Sequence, residues 1–493
     1  MPARGPVALV VALVVGICAG DRLGPSSARG TLVIGVVMAV GALAVRGRAG
    51  LVVGLVAASV LGVATTQRAH DGLVHSPLTG PVDARADATV RATLVEDPGG
   101  DRYRARVLAR IETITVPGSA PTTAGGRTVL VTAGDDVGPR LRLLAAGDHV
   151  ELVGWLSPLA GYDTRLRWRH AVGRLDATEL VSFHDARSPL ARVANALRGL
   201  VVRGTEYLPA TERSVVAGFL LGDTRGLSPP VEEQFRAAGL THLLAVSGAN
   251  VAFVLVLVGP ALRRLGLQGR LAGGILVLVV FGTMTRWEPS VLRACAMAAC
   301  SMTALYLGRP AAGLRVLALA ALALLVVDPF LVHSVAFLLS CGASAGIAVL
   351  GAPLAARIPG PGWMREGLGV TLAAQLGVAP VLLPVFGTVP LVALPANLLA
   401  VPVAAPLTVW GFLGGGAGGV VGRWLPGVAA LLQVPTLLLV RAVLAVADLA
   451  SRFPLAVDAR GAWGLAAAAA AIAAAARARA AHRVDADARV SAR

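Results

Sequence analysis

Residues 241–260 read THLLAVSGANVAFVLVLVGP. The second half is apolar enough to sit in lipid. The first half places His242, Ser247 and Asn250 at its head, where each costs roughly 1–3 kcal/mol if buried without a partner. On one continuous helix these three side chains fall within an arc of about 140°, so a single face presents them to a neighbouring helix or a wet cavity. Two readings stay open: the polar groups bond adjacent helices, or they line a pathway. The run as a whole reads as a membrane span, near 241–258.

The rest of the chain agrees. Of 493 residues, 56% are hydrophobic and only 15% charged, with a mean hydropathy of +0.72; soluble proteins carry about 25% charged residues. The formal charge of +16 comes from 44 basic residues, every one an arginine. That pattern reads as codon bias, so net charge alone argues only weakly for a nucleic-acid partner. The absence of lysine excludes a P-loop, which needs one on the β- and γ-phosphates. Cys18, Cys295, Cys300 and Cys341 lie in apolar stretches without a C-x-x-C pair and read as small core residues. No catalytic group, cofactor or metal site is expected.

Outward from the opening stretch, the chain divides into five parts. Residues 1–66 hold three apolar runs (6–20, 31–45 and 50–66). The first has a signal-like start, MPARG, but further hydrophobic runs follow so closely that a retained anchor is the better reading. Residues 67–187 form an extracytoplasmic domain with five strand-like segments: VRATLVE, YRARVLARIETI, RTVLVTA, DHVELVGWL and GRLDATELVSF. Their alternation predicts a small OB-like β-barrel. Residues 188–211 read as an amphipathic interfacial helix with Leu190, Val193, Ala194, Leu197 and Val201 on one face and Arg192 and Arg198 elsewhere. Residues 212–476 are almost continuously hydrophobic, and 477–493 form a basic tail. The fold class is therefore a polytopic α-helical membrane protein with an inserted small β-barrel domain. The positive-inside rule places Arg4, Arg46, Arg48, Arg263, Arg264, Arg270, Arg309, Arg315, Arg357, Arg365 and Arg423 on one side. This puts both termini in the cytoplasm and the barrel outside the cell membrane.

Two further stretches carry unusual membrane residues. In RWEPSVLRA (286–294), Pro289 suits a first helical turn, Glu288 its cap, and Ser290 follows. Arg293 sits one turn in and must snorkel, pair or face water. Between 380 and 406 lie Pro380, Pro384, Pro390, Pro395, Pro402 and Pro406, with Gln375 and Asn397 nearby. Internal prolines remove helix hydrogen bonds, so broken or re-entrant helices are expected there. SCGASAGI (340–347) has small residues at spacing four, which suits close helix packing.

These motifs resemble the ComEC family, membrane proteins that carry incoming DNA inward during natural transformation. LLGDTRGLSPPVEEQFRAAGLTHLLAVSGANVA (220–252) is similar to the family signature, in which G-D-x-x-x-L leads into H-L-x-A-[IV]-S-G. PSVLRACAMA (289–298), DPFLVHSVAFLLSCGASAGI (328–347) and AAQLGVAPVLLPVFGTVPLVALPANLLAVPV (373–403) follow in the family's order. The resemblance implies a channel passing one DNA strand, with pathway candidates Asp223, His242, Ser247, Gly248, Asn250, Glu288, Ser290, Arg293, Gln375 and Asn397. It also implies as partners single-stranded DNA, membrane lipid, a membrane-anchored DNA receptor, a helicase-like ATPase and single-strand-binding or recombination proteins.

Two departures stand out. Many members have histidine where this chain has Asn250, and an amide cannot titrate near neutral pH. No H-x-H-x-D-H cluster of the family's metallo-β-lactamase-like domain occurs before Arg493, so a separate nuclease is expected.

Strand-binding within the barrel wants aromatic platforms beside cations. Residues 154–174 supply Trp155, Tyr162, Arg165, Arg167, Trp168 and Arg169; the alternative is an ordinary solvated loop. An intramembrane hydrolase using Ser247 with His242 or His333 is disfavoured by the five-residue spacing and the lack of an oxyanion-hole motif. A relative that moves another substrate is the remaining alternative.

Overall fold

The computed structural model describes residues 4–461, apart from 27, 46, 102, 135, 310–311, 454–455 and 459–460. The expected basic tail, and all but the first residue of the expected span at 461–476, lie outside the described residues.

Three helices open the chain: α1 (Arg4–Leu23), α2 (Arg29–Ala44) and α3 (Gly47–Val74). Small residues let α1 and α3 touch through their backbones. A side chain at Gly16 would meet Ser59, and one at Gly62 would meet Leu13, while Ser59 Oγ donates to the Ala12 carbonyl at 3.0 Å. Helix α3 runs to Val74, past the expected boundary at 66. It carries His70 up to the barrel.

The short α4 (Thr79–Asp83) leads into the barrel strands β1 (Asp87–Leu94), β2 (Gly99–Gly100), β3 (Ala105–Thr115) and β4 (Thr122–Ala133). After α5 (Val137–Arg142) come β5 (His149–Ser157) and β6 (Ala171–His184). The five long strands close in the order β1-β5-β6-β4-β3-β1, with β4 and β6 parallel and the other pairs antiparallel. This is the OB connectivity, with α5 in the crossover. Alternation builds its core: Val90 and Ala92 from β1, Val107 and Ala109 from β3, Val129 and Val131 from β4, Leu152 from β5 and Leu175 from β6 all point inward, and Leu141 of α5 joins them.

The membrane domain follows: α6 (Pro189–Thr205), α7 (Ala210–Leu221), α8 (Pro229–Ala237), α9 (Thr241–Leu244), α10 (Gly248–Arg263), α11 (Leu267–Met284), α12 (Pro289–Tyr306) and α13 (Gly313–Val327). A 3-10 turn at Pro329–His333 precedes α14 (Val335–Ala355), α15 (Gly362–Phe386), β7 (Thr388–Pro390), α16 (Ala393–Val421), α17 (Pro426–Leu432), α18 (Val434–Ser451) and β8 (Ala456–Asp458). Seven helical segments among the described residues are long and apolar enough to cross a bilayer. The protein is thus a multi-pass membrane protein carrying a small barrel. Gly342 and Gly346 of α14 lie against Gly377 of α15, and Gly204 of α6 lies against Gly415 of α16, so backbones again approach directly.

Two expectations are corrected. The prolines at 380, 384, 402 and 406 do not break their helices, since α15 and α16 run through them and only residues 387–392 interrupt the chain. The break falls in the opening stretch instead. Residues 245–247 are non-helical, with Ala245 and Ser247 extended (Ser247 φ −94°, ψ 163°) between α9 and α10. His242 therefore does not share one helical face with Ser247 and Asn250.

A candidate pathway mouth between the barrel and the membrane helices

A cavity of ≈ 1010 Å³ lies where the barrel meets the helix ends. The β1–β3 connection supplies Glu96 and Asp97, β3 and β4 supply Arg110 and Arg127, and the β5–β6 connection supplies Trp168 and Arg169. Below them are Arg198 of α6, Asp223 and Arg225 after α7, Arg286, Trp287 and Glu288 between α11 and α12, and Asp328 after α13.

Five of these groups form one ion network, largely buried except for Arg225 at its edge. Asp97 accepts from Arg286 Nη2 at 2.6 Å and lies 3.0 Å from Arg198 Nη2. Arg198 also reaches Asp223 at 3.0 Å and donates to the carbonyls of Leu221 (2.9 Å) and Met284 (3.2 Å). Arg225 grips Asp223 with both Nε (2.8 Å) and Nη2 (2.6 Å). Burial pushes the Asp97 carboxyl up, but the Arg198 and Arg286 charges with their hydrogen bonds outweigh it, so the net direction is downward. Asp223 is likewise opposed by burial yet drawn down to about 2, chiefly by Arg225 and then Arg198. The network joins the barrel to three separate segments of the membrane domain.

The turn that brings Arg286 in is strained. Arg286 and Trp287 both adopt left-handed backbone (φ 60° and 55°), at a cost of about 1–3 kcal/mol each. Next to them Glu288 folds over Gly222, whose φ of +69° and missing Cβ make room for the carboxylate. Glu288 has no ion-pair partner among the described residues. Burial pushes it up to about 7, against a hydrogen bond from the Val246 backbone and the more distant Arg198 charge.

A second contact seats the barrel. Trp168 stacks on His333 (centroids 3.8 Å apart, planes 20°) and meets His70 and Phe330 edge-on. Asp21 bridges His70 and His333 at 3.0 Å each, and His170 Nε2 lies 3.1 Å from Asp328. The residues expected to hold a strand are thereby divided. Trp168 docks the barrel, and Arg169 pairs with Glu96 at 2.6 Å. Arg167 lies 4.2 Å over Trp168. Tyr162, 77% exposed, stacks under Arg165 at 4.6 Å on the open side, and Trp155 on β5 is half exposed.

Deeper in, the break at 245–247 is held by specific hydrogen bonds. Asn250 Nδ2 donates to the Phe219 carbonyl of α7 at 2.7 Å, and Ser247 Oγ donates to Asn250 Oδ1 at 3.3 Å. Ser290 Oγ donates at 2.6 Å to the Val246 carbonyl that the break exposes. Arg293 reaches Ser340 on α14 through Nε at 2.7 Å, with Gly248 beside its other end. Of the expected pathway residues, Asp223 and Glu288 line the cavity, while Ser290, Asn250, Ser247, Gly248 and Arg293 gather at the break between α9 and α10. His242 sits on α9 across the break, and Gln375 and Asn397 belong to α15 and α16, away from the cavity lining. Neither His242 nor His333 is hydrogen-bonded to Ser247 among the described residues.

Sequence reasoning missed Asp97, Arg198, Arg225, Arg286 and Trp287. Arg198 left one signal, an arginine in a helix otherwise rich in small and apolar residues. Asp97 and Arg286 left none, because they meet across 189 positions.

A small barrel over a charged cavity in a helical membrane domain defines a polytopic membrane protein with an inserted barrel domain. The chain belongs to the Competence protein family, which matches residues 219–482, more than half of its length. It is similar to ComE operon protein 3 of Bacillus subtilis (strain 168), 24% identical over 247 residues, covering 49% of this chain and 30% of that protein. It is also similar to the uncharacterized protein YcaI of Escherichia coli (strain K12), 28% identical over 223 residues, covering 42% of this chain and 29% of that protein. The matches thus span under a third of either relative. No solved structure matches.

Proposed function

We propose that the chain is a cell-membrane channel for single-stranded DNA uptake during natural transformation, with the barrel extracytoplasmic and both termini cytoplasmic. The observation that carries this reading is the cavity itself: an OB-like barrel is fixed over a charged cavity whose lining residue Glu288 lies against Val246, at the helix break of the signature-like stretch. OB folds hold single strands through exposed aromatics and cations, and Tyr162 with Arg165 offers such a pair facing outward. At the rim, Arg110 and Arg127 make no ion pair among the described residues, so they are available to phosphates. The channel needs no covalent chemistry of its own. It would work with a membrane-anchored receptor, a helicase-like ATPase and single-strand-binding or recombination proteins.

Deleting the gene should abolish entry of labelled DNA into the cytoplasm while surface binding persists; normal internalisation in the deletion strain would refute the reading. A second reading, transport of a different substrate, is favoured by the near balance of charge in the cavity, where most arginines are already paired with carboxylates. Normal DNA entry in the deletion strain, with loss of another solute's flux, would select it.

A further inference from the structure

Asn250 N–H bonds the Ser247 carbonyl at 3.1 Å, but the two N–H groups that begin α10 lack an acceptor among the described residues. Ser247 occupies its cap position, but its hydroxyl accepts no N–H of the turn and donates to Asn250 Oδ1. The backbone N–H groups of Gly248 and Ala249 have no partner among the described residues. Beside them is a cation. Arg293 is only 8% exposed, yet no carboxylate pairs with it among the described residues. Nε donates to Ser340 at 2.7 Å and Nη1 to Met297 Sδ at 2.9 Å. Nη2 donates to nothing among the described residues and lies beside Gly248, so close that a Cβ there would be 2.6 Å from it.

A buried guanidinium beside the positive end of a helix is electrostatically unfavourable unless an anion lies between them. Open N–H groups at a helix N-terminus and a free guanidinium edge are the donor set that holds a phosphate oxygen. We infer that Gly248, Ala249 and Arg293 form a binding station for a phosphodiester anion at the break between α9 and α10. Gly248 is a glycine there because any side chain would displace the guanidinium from the station. The identity of the phosphodiester as that of a DNA strand rests on the transport reading; the anion site does not.

The test uses the full chain in a phosphate-free maltoside detergent. The probes are inorganic phosphate, a phosphodiester oligonucleotide, the same oligonucleotide with uncharged methylphosphonate linkages, and phosphatidylglycerol. Phosphate should raise the melting temperature of the wild type. Arg293→Gln and Gly248→Ala should remove that stabilisation, the second without changing charge. For the phosphodiester strand, Arg293→Gln should weaken binding about tenfold and reduce the salt slope by about 0.7, the value for one single-strand phosphate contact; the uncharged strand should not respond. Stabilisation by phosphatidylglycerol but not by the oligonucleotide, lost in both variants, keeps the station and assigns it to a lipid headgroup. Equal phosphate stabilisation in the wild type and both folded variants would overturn the site. DNA uptake unaffected by gene deletion, together with phosphate stabilisation that depends on Arg293, would sink the channel and leave the station standing.

Discussion

Two buried arginines a short way apart teach opposite lessons. Arg198, at the barrel junction, spends its donors on two carboxylates and two carbonyls. Arg293, at the helix break, has a serine and a thioether and no counter-charge among the described residues. The first is a satisfied member of a network and acts as a fastener. The second is left open, and open buried charge in a membrane is where a ligand is to be sought. Burial of an ionisable group thus says little by itself; the completeness of its partners separates fastening from binding.

The comparison is broken most forcefully at Asp97. Asp97→Ala leaves Arg198 and Arg286 facing each other without their shared carboxylate, so about 3–5 kcal/mol of junction stability should disappear. Limited proteolysis between 184 and 189 should then speed up, and a cleavage rate equal to wild type would show the network to be dispensable.

Protons probe the same cavity from both directions. Glu288 has a raised folded pKa, so the stability it contributes is complete in acid and is lost as pH rises from about 4.5 through about 7. Glu288→Gln should flatten that loss, worth on the order of 2–3 kcal/mol, as read from melting temperature against pH. Asp223 is depressed, so its contribution is complete above about 4 and fades as pH falls towards about 2. Asp223→Asn should remove roughly 2 kcal/mol at neutral pH and flatten the acid limb of the same curve.

Asn250→Ala should cost about 1–3 kcal/mol by orphaning the buried Phe219 carbonyl, while Asn250→His tests whether the commoner family residue restores the bond. At the open side of the barrel, Tyr162→Ala should lower single-strand affinity by about 1 kcal/mol or less and leave the melting temperature unchanged. A change in stability there would mean that the tyrosine belongs to the fold.

The barrel was legible because strand alternation is a local signal with a period of two, and all five segments are strands in the structure. The helix break was not. LLAVSGANVA continues the apolar pattern across residues 245–247, and what opens it is tertiary: Ser290 takes the Val246 carbonyl and Asn250 takes that of Phe219. The prolines misled as well, since α15 and α16 run through Pro380, Pro384, Pro402 and Pro406, all four of them exposed, and stay continuous. Arg293 was legible as an anomaly by its depth alone. Its geometry against Gly248 was not, because it depends on two helices crossing.

Asp21 has a consequence for how the molecule is made. Its two oxygens are taken by His70 and by His333, the latter 312 positions downstream. The first helix enters the bilayer during synthesis carrying a carboxylate whose second partner has not yet been translated. Until the turn before α14 emerges, Asp21 is half satisfied and Trp168 has no imidazole to stack on. The part of the barrel's seating that uses Trp168 and His333 therefore cannot form until residue 333 has been synthesised.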